Sequence, residues 1–400
     1  MPTTKSKKLP YFTANKILWG CTIHDGADGC EIVRQASLSM DKDPPPLPAP
    51  KSAKPPARRL TREERADKTL ESLLSAIESI SRFKAWLNEP PSPTPPKQAS
   101  QPKAKQVPPF DIREIPDAMR KERMPVAAKL MNRWFSGELN YSPTSDDQRA
   151  EINQNGHAYP ESMIDRTTIK MDWVLKHSRA RKQYENLVST AIYSPNAYHA
   201  LQAILAPYRR GAMDLSPWSK CGYDIRTLHR IFQFQRTFVD ATFEQKAAQF
   251  VRRVPHATVP DDLTAALGAF NFYAAIAGVH FDPRGTSATV THIVVYVRDG
   301  YSFEGPMDST SQYLGHWSKN GVIVVPEVTA ANLANVPWLD YPVVTGDLAE
   351  NLVRRGKVYY PVRNRSFRKW QRKHHRGGDF IIYSDYKPFL LEKPITVYFS

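Results

Sequence analysis

The densest chemistry in the chain is a run of cations: Arg363, Arg365, Arg368, Lys369, Arg372, Lys373 and Arg376. His374 and His375 lie among them, and no carboxylate follows until Asp379. A helix over Ser366–His374 would put Phe367 and Trp370 on one apolar face and spread Arg365, Arg368, Lys369 and Arg372 over the exposed side. A basic surface with aromatic anchors suits a phosphate backbone, which makes Arg365, Arg368, Lys369, Arg372 and Lys373 the expected contact residues. The plainer alternative is a solvated helix whose Phe and Trp are core. Gly377-Gly378 is expected to end the helix, glycine supplying the left-handed cap.

A second candidate is the segment His292-Ile293-Val294-Val295-Tyr296-Val297-Arg298-Asp299. On a strand, His292, Val294, Tyr296 and Arg298 point one way and Ile293, Val295 and Val297 the other. A His, a Tyr and an Arg in one row can act as general acid or base, hydrogen-bond donor and anion clamp. The same row is also an ordinary half-exposed sheet face. His316, beside Trp317, and Asp379, opening a strand, complete a candidate catalytic set of His292, Tyr296, His316 and Asp379. Read structurally, His316 is a satisfied core histidine and Asp379 only opens the strand after the glycine pair that ends the helix.

No short motif names a reaction. There is no GxGxxG before a helix, no P-loop, no HExxH and no GxSxG, which argues against standard dinucleotide binding, P-loop ATP hydrolysis, zincin proteolysis and α/β-hydrolase chemistry. A nuclease-type enzyme needs none of these. The cofactor is unknown from sequence. Cys21, His24 and Cys30 match no standard zinc spacing, so no metal site is expected.

The 400 residues carry a formal net charge of +15, which favours anionic partners such as nucleic acid, an anionic membrane surface or an acidic protein. The hydrophobic fraction of 41% is ample for a packed core. Three cysteines, an odd and small number, argue against a disulfide framework. No secretory signal is expected, because Leu9 to Trp19 is interrupted by Pro10, Asn15 and Lys16. The longest uncharged stretch, Leu263 to Val279, is too short and too polar for a transmembrane segment.

These residues must be positioned by a chain whose composition changes along its length. Residues 1–40 form a small N-terminal segment with enough Tyr, Phe, Ile and Trp for a strand pair. Residues 41–109 read as a Pro/Lys-rich linker, stiffened by polyproline II, holding one docking helix over 61–88. Thr61 and Glu64 form a capping box, and Leu70, Leu73, Ile77, Ile80 and Leu87 make a narrow apolar seam. An isolated helix of this length is marginal in water, so the seam is expected to dock on a partner.

Residues 110–400 form the main domain, helical over 110–260 and β-rich over 261–400. Helices are expected over Ile115 to Phe135, bent or split at Pro125, over Arg179 to Tyr193, from Ser194-Pro195 to Leu205, and over Asp224 to Arg236. Strands follow from Phe270 onward. Helices first and strands later argue for an α+β fold: a helical half packed on a mainly antiparallel sheet, preceded by the Pro-rich arm.

Several stretches resemble a bacterial domain-of-unknown-function family encoded beside type VI secretion genes of proteobacteria, often near spike or PAAR-type tip proteins. They are Ile115-Pro116-Asp117-Ala118-Met119 with Ala127 to Phe135, then Val290 to Asp299, Tyr313 to Trp317, and Gly377 to Asp385. The resemblance covers most of the chain after Pro109 and brings no catalytic set. It implies a type VI secretion effector, an antibacterial toxin whose basic surface meets nucleic acid or another phosphate-bearing target. The alternatives are a non-enzymatic adaptor that loads cargo on the spike and a membrane-active toxin. A spike or PAAR-type protein, or a chaperone, would bind helix 61–88, and an immunity protein would neutralise the toxin. Such a protein would sit in the bacterial cytoplasm before delivery and reach a target cell without a signal peptide.

Overall fold

The computed structural model describes residues 11–14, 21–24, 38–47, 110–211, 213–241, 261–308, 310–323, 340–345 and 358–399. The docking helix 61–88, with Leu70, Leu73, Ile77, Ile80 and Leu87, lies outside the described residues, as do Cys30 and nearly all of the Pro-rich linker. The described residues all belong to one unit.

Proline decides where the first helices break. Helix α1 (Ile115–Lys121) ends before Pro125, and α2 (Pro125–Ser136) begins on it. Proline lacks an N–H and has a fixed φ, so it fits the first helical position better than an interior one. Met124, the N-cap of α2, offers no side-chain bond. Asp262 supplies one from a distant helix, its carboxylate accepting the N–H groups of Ala127 (2.9 Å) and Val126 (3.2 Å).

Helix α3 (Ser178–Ser189) runs into a short 3-10 turn, and α4 (Pro195–Leu205) starts where the Ser194 hydroxyl accepts the Ala197 N–H. Helix α5 (Ile225–Phe232) is shorter than expected. From Gln233 the chain becomes strand β5 (Gln233–Val239) rather than helix, because Thr237 and Val239 bury on one face while Arg236 and Phe238 stay exposed on the other. Helix α6 (Asp262–Leu267) carries the capping Asp262, and α7 (Asn364–His374) is the basic helix.

The remaining strands are β1 (Tyr11–Ala14), β2 (Cys21–His24), β3 (Ile164–Asp165), β4 (Asp214–Leu215), β6 (Phe270–Phe281), β7 (Ser287–Tyr301), β8 (Tyr313–Ser318), β9 (Gly321–Ile323), β10 (Val343–Thr345), β11 (Val358–Arg363), β12 (Phe380–Tyr383) and β13 (Lys387–Tyr398). The fold is α+β, helical in its first half, with mixed, mostly antiparallel sheet in its C-terminal half. The larger sheet is centred on the β6–β7 hairpin. Strands β12 and β13 pair end to end along the free edge of β7, β5 and β4 pair with β6, and β3 adds in parallel to β12. The smaller sheet has the order β2-β1-β10-β11-β8-β9, with β1 parallel to β10 and Phe12 opposite Val343. The uncharged stretch 263–279 divides between α6 and β6, and no described helix is long and apolar enough to cross a membrane.

Helix α2 and helix α7 meet in an aromatic knot. Trp134 packs edge-on against Phe303 and Phe367 at 5.0 and 5.7 Å, Phe135 against Trp370 at 4.8 Å, and Phe303 stacks on Phe367 at 3.8 Å. The left-handed residue that ends α7 is His375 (φ 51°), not the glycine pair. Gly377 (φ 95°) serves another purpose: a Cβ there would lie 2.7 Å from the Trp134 ring. Gly377→Ala should therefore lower stability by at least about 2 kcal/mol, through strain and overpacking together. Gly156→Ala, at φ 72° with open space around it, should lose only about 1 kcal/mol. Urea unfolding of the two variants checks the contrast.

Candidate functional site

The knot closes on a carboxylate. Asp379 is buried just before β12 and receives the Arg368 guanidinium in a two-point pair, Nη2 to Oδ2 at 2.6 Å and Nη1 to Oδ1 at 3.1 Å. The Trp134 indole N–H donates to the same Oδ1 at 2.9 Å. Asn140 holds the Asp379 backbone on both sides, its carbonyl accepting the Asp379 N–H and its amide donating to the Asp379 carbonyl. Arg368 also donates to the Phe303 carbonyl and to Gln371 Oε1, which spends its donors inside the protein. Burial pushes the Asp379 carboxyl up, and Arg368 and Trp134 oppose the rise.

This divides the basic cluster. Arg365 donates to Asp340 Oδ1 at 2.7 Å, and Arg363 reaches the same oxygen at 2.8 Å. Lys369 and Arg372 are exposed and make no ion pair among the described residues. Lys373 is exposed and pairs with Asp41 at 2.5 Å. Of the five expected contact residues, Arg365 and Arg368 serve the fold. Lys369, Arg372 and Lys373, spaced i, i+3 and i+4, share one outward face of α7.

The expected catalytic residues do not come together. His292 is exposed, its Nδ1 2.9 Å from the Thr291 hydroxyl, and lies about 13 Å along β7 from Tyr296. His316 is buried in the smaller sheet. Its Nε2 donates to the Tyr341 carbonyl at 2.7 Å while Nδ1 meets the Tyr313 hydroxyl, and burial lowers its pKa to about 4. Asp379 belongs to the aromatic knot.

Tyr296 sits instead in a group that the sequence did not single out. The strand register aligns Arg236, Tyr273 and Tyr296 in one rung and Phe238, Asn271, Arg298 and Tyr383 in the next, all on one face of the larger sheet. Helix α5 covers the part of that face around Tyr273 and Tyr296. His229 Nδ1 lies 2.9 Å from the Tyr296 hydroxyl, and its ring stands edge-on to Tyr273. Glu151 closes the group: Arg298 and the Tyr383 hydroxyl donate to its Oε1 at 3.0 and 2.9 Å, and Arg226 donates to Oε2. Arg298 was legible as a cation on the Tyr296 face. Arg226 and His229 share a face of α5 at i, i+3, a signal too common to stand out alone. Glu151 lies in a loop and gives no signal; it sits at φ 59°, an uncommon conformation for a residue with a side chain.

Burial, with Arg298 adding to it, lowers the His229 pKa to about 3, so the imidazole is neutral at pH 7. Tyr296 is pushed well above the ordinary phenol range, chiefly by burial. A neutral imidazole bonded to a buried phenol can relay a proton, yet the rest of the group is spent on internal bonds. Across the sheet, burial pushes Asp299 up to about 8 against the pull of the Gly300 N–H and Arg298.

Fold and site define an α+β protein in which a basic helix is pinned to a mixed sheet by a buried arginine–aspartate pair. Residues 110–399 match the model described as Family of unknown function (DUF6402), and the chain belongs to that family. No curated protein and no solved structure matches it.

The buried charges set the response to mutation and to pH. Arg368→Ala leaves the Asp379 carboxylate without its cation and should lower stability by about 3 kcal/mol or more. Exposed Arg372→Ala should change it by less than about 0.5 kcal/mol, so chemical denaturation separates the two. The pH dependence has two opposed parts. His229 and His316 have folded pKa values below the unfolded value, so their stability is present above pH 6.5 and lost as pH falls through about 4 and 3. Asp299 has a raised folded pKa, so its stability is present below pH 3.8 and lost as pH rises through about 8. Asp299→Asn should therefore raise Tm at pH 8 and leave it unchanged at pH 3.5, as measured by scanning calorimetry.

Proposed function

We propose that the protein is a type VI secretion effector whose basic helix α7 contacts a phosphate-bearing target, nucleic acid first among them. One observation carries the contact: after Arg365 and Arg368 are taken by Asp340 and Asp379, Lys369 and Arg372 face outward without an ion pair among the described residues, on one side of the helix with the exposed Lys373, which pairs with Asp41. Exposed cations at helical spacing beside a rigid aromatic base can follow a phosphate backbone. The secretion context rests on the resemblance of the segments around Trp134, Tyr296, His316 and Asp379 to a family encoded beside spike and PAAR-type genes. Docking through helix 61–88 to the spike or a chaperone, and an immunity partner, belong to the same proposal.

A second reading, the non-enzymatic adaptor, is favoured by a different observation. His316 and Asp379 are buried with their polar atoms bonded inside the protein, an arrangement that suits a folded carrier better than an open catalytic centre.

Inducible expression in a bacterial host, once in the cytoplasm and once with an added export signal, distinguishes the readings by counting survivors. The effector reading expects killing in the cytoplasm that Lys369→Glu with Arg372→Glu reduces at least about tenfold, since charge reversal at two phosphate contacts weakens binding steeply. Killing that survives the double reversal rejects phosphate contact by α7. Killing only after export moves the target to the envelope. Absence of killing in both compartments favours the adaptor.

A further inference from the structure

The segment formed by residues 38–47 lies against the C-terminal end of α7. Ser39 bridges to the start of the domain, its N–H donating to the Phe110 carbonyl at 2.7 Å and its carbonyl accepting the Ile112 N–H at 2.9 Å. Asp111 anchors the backbone just beyond Met40, one carboxylate oxygen accepting the N–H groups of Asp41 (2.9 Å) and Lys42 (3.2 Å). Leu38 and Met40 pack against the core. The segment is thus held by backbone bonds and apolar contact together.

What it covers is the basic cluster. Asp41 pairs with Lys373 at 2.5 Å, the Met40 carbonyl lies 2.7 Å from His374 Nε2, and the Pro45 carbonyl accepts from Arg376 Nη2 at 2.9 Å. Asp43 lies within electrostatic reach of Arg113. Oxygen atoms of the strap, two of them uncharged carbonyls and one a carboxylate, therefore meet three basic groups of the cluster.

We infer that residues 38–47 are an intramolecular mask that stands in for a phosphate backbone at the C-terminal end of α7, and that a polyanion must displace it to reach Lys373 and His374, while Arg376 stays bonded to the Ser136 and Gly137 carbonyls. The inference rests on the phosphate-contact reading above and adds its regulation. The displaceable part is the Asp41–Lys373 pair, which is exposed at both ends, with side chains 79% and 48% accessible. Exposed pairs are weak enough to exchange for a phosphate. The carbonyl bonds at His374 and Arg376 then follow the same segment as it leaves.

The test uses the full chain and a fluorescent single-stranded DNA oligonucleotide, with binding read by anisotropy over a salt series. Asp41→Asn with Asp43→Asn removes the carboxylates of the mask. Asp146→Asn with Asp214→Asn removes the same charge from two exposed sites that make no bond to it. The masking variant should bind about twofold to fivefold tighter than the control variant, the range expected from releasing an exposed ion pair. Its log–log salt slope should steepen by about 0.7 for each additional phosphate that the unmasked cations neutralise. On saturating the unaltered protein with oligonucleotide, the Asp41 and Lys42 amides should exchange hydrogen faster. Equal tightening in both variants, or unchanged exchange at Asp41 and Lys42 in an oligonucleotide complex, overturns the mask while leaving phosphate contact standing. No binding by any of the three proteins overturns the phosphate-contact reading, and the mask with it.

Discussion

The Arg368–Asp379 pair is the interaction on which the described structure turns. It joins helix α7 to the start of β12, and the Trp134 indole draws α2 to the same carboxylate. A carboxylate buried this deeply is tolerable only with a cation and full hydrogen bonding, so helix, strand and indole must arrive together or leave the charge stranded. The glycines at 377 and 378 are part of the same demand. Trp134 and Met163 press on the backbone where those two residues pass, and no Cβ fits at that distance. The aromatic knot supplies burial, and the ion pair fixes the register in which burial occurs.

The same pair changes how the positive charge of the chain is to be understood. A cluster dense in arginine looks uniform in sequence, but its members have separate duties. Arg363, Arg365, Arg368 and Arg376, with their planar forks, turn inward to Asp340, Asp379 and backbone carbonyls; Arg372 and both lysines of the helix stay on the surface. Arg372 apart, this is the division expected from their chemistry, since guanidinium is less strongly hydrated and makes two-point contacts, whereas ammonium is a hydrated point charge. Net charge therefore overstates the surface available to an anionic partner. The outward face of α7 is small, and the strap at residues 38–47 narrows it further.

Much of the fold was legible because it follows from local signals. Pro125 marked the break between α1 and α2, Ser194-Pro195 marked the start of α4, and runs rich in Val, Ile, Tyr and Phe marked β6 and β7. The misplacement of residues 233–236 in a helix has a physical cause. The segment Gln233-Phe234-Gln235 carries a bulge against β6, which hides the two-residue period until Arg236. The candidate site was harder to read. Glu151, His229 and Tyr383 come from a loop, a helix and a strand far apart in sequence, and only strand register brings them together. Asp262, capping a helix that starts at Pro125, is a similar case. Periodicity reports which face a residue occupies, and it carries no information about which distant element will cover that face.

The parallel pairing of β1 with β10 sets an order of events in synthesis. Phe12 lies opposite Val343, so β1 finds its neighbour only when all the chain between them has been made. Until then the β1–β2 hairpin has no third strand, and two strands alone are marginal in water. The larger sheet, whose β6–β7 hairpin is local, has no such wait. The smaller sheet is therefore the late-closing part of the molecule, completed only once β10 and β11 have been made.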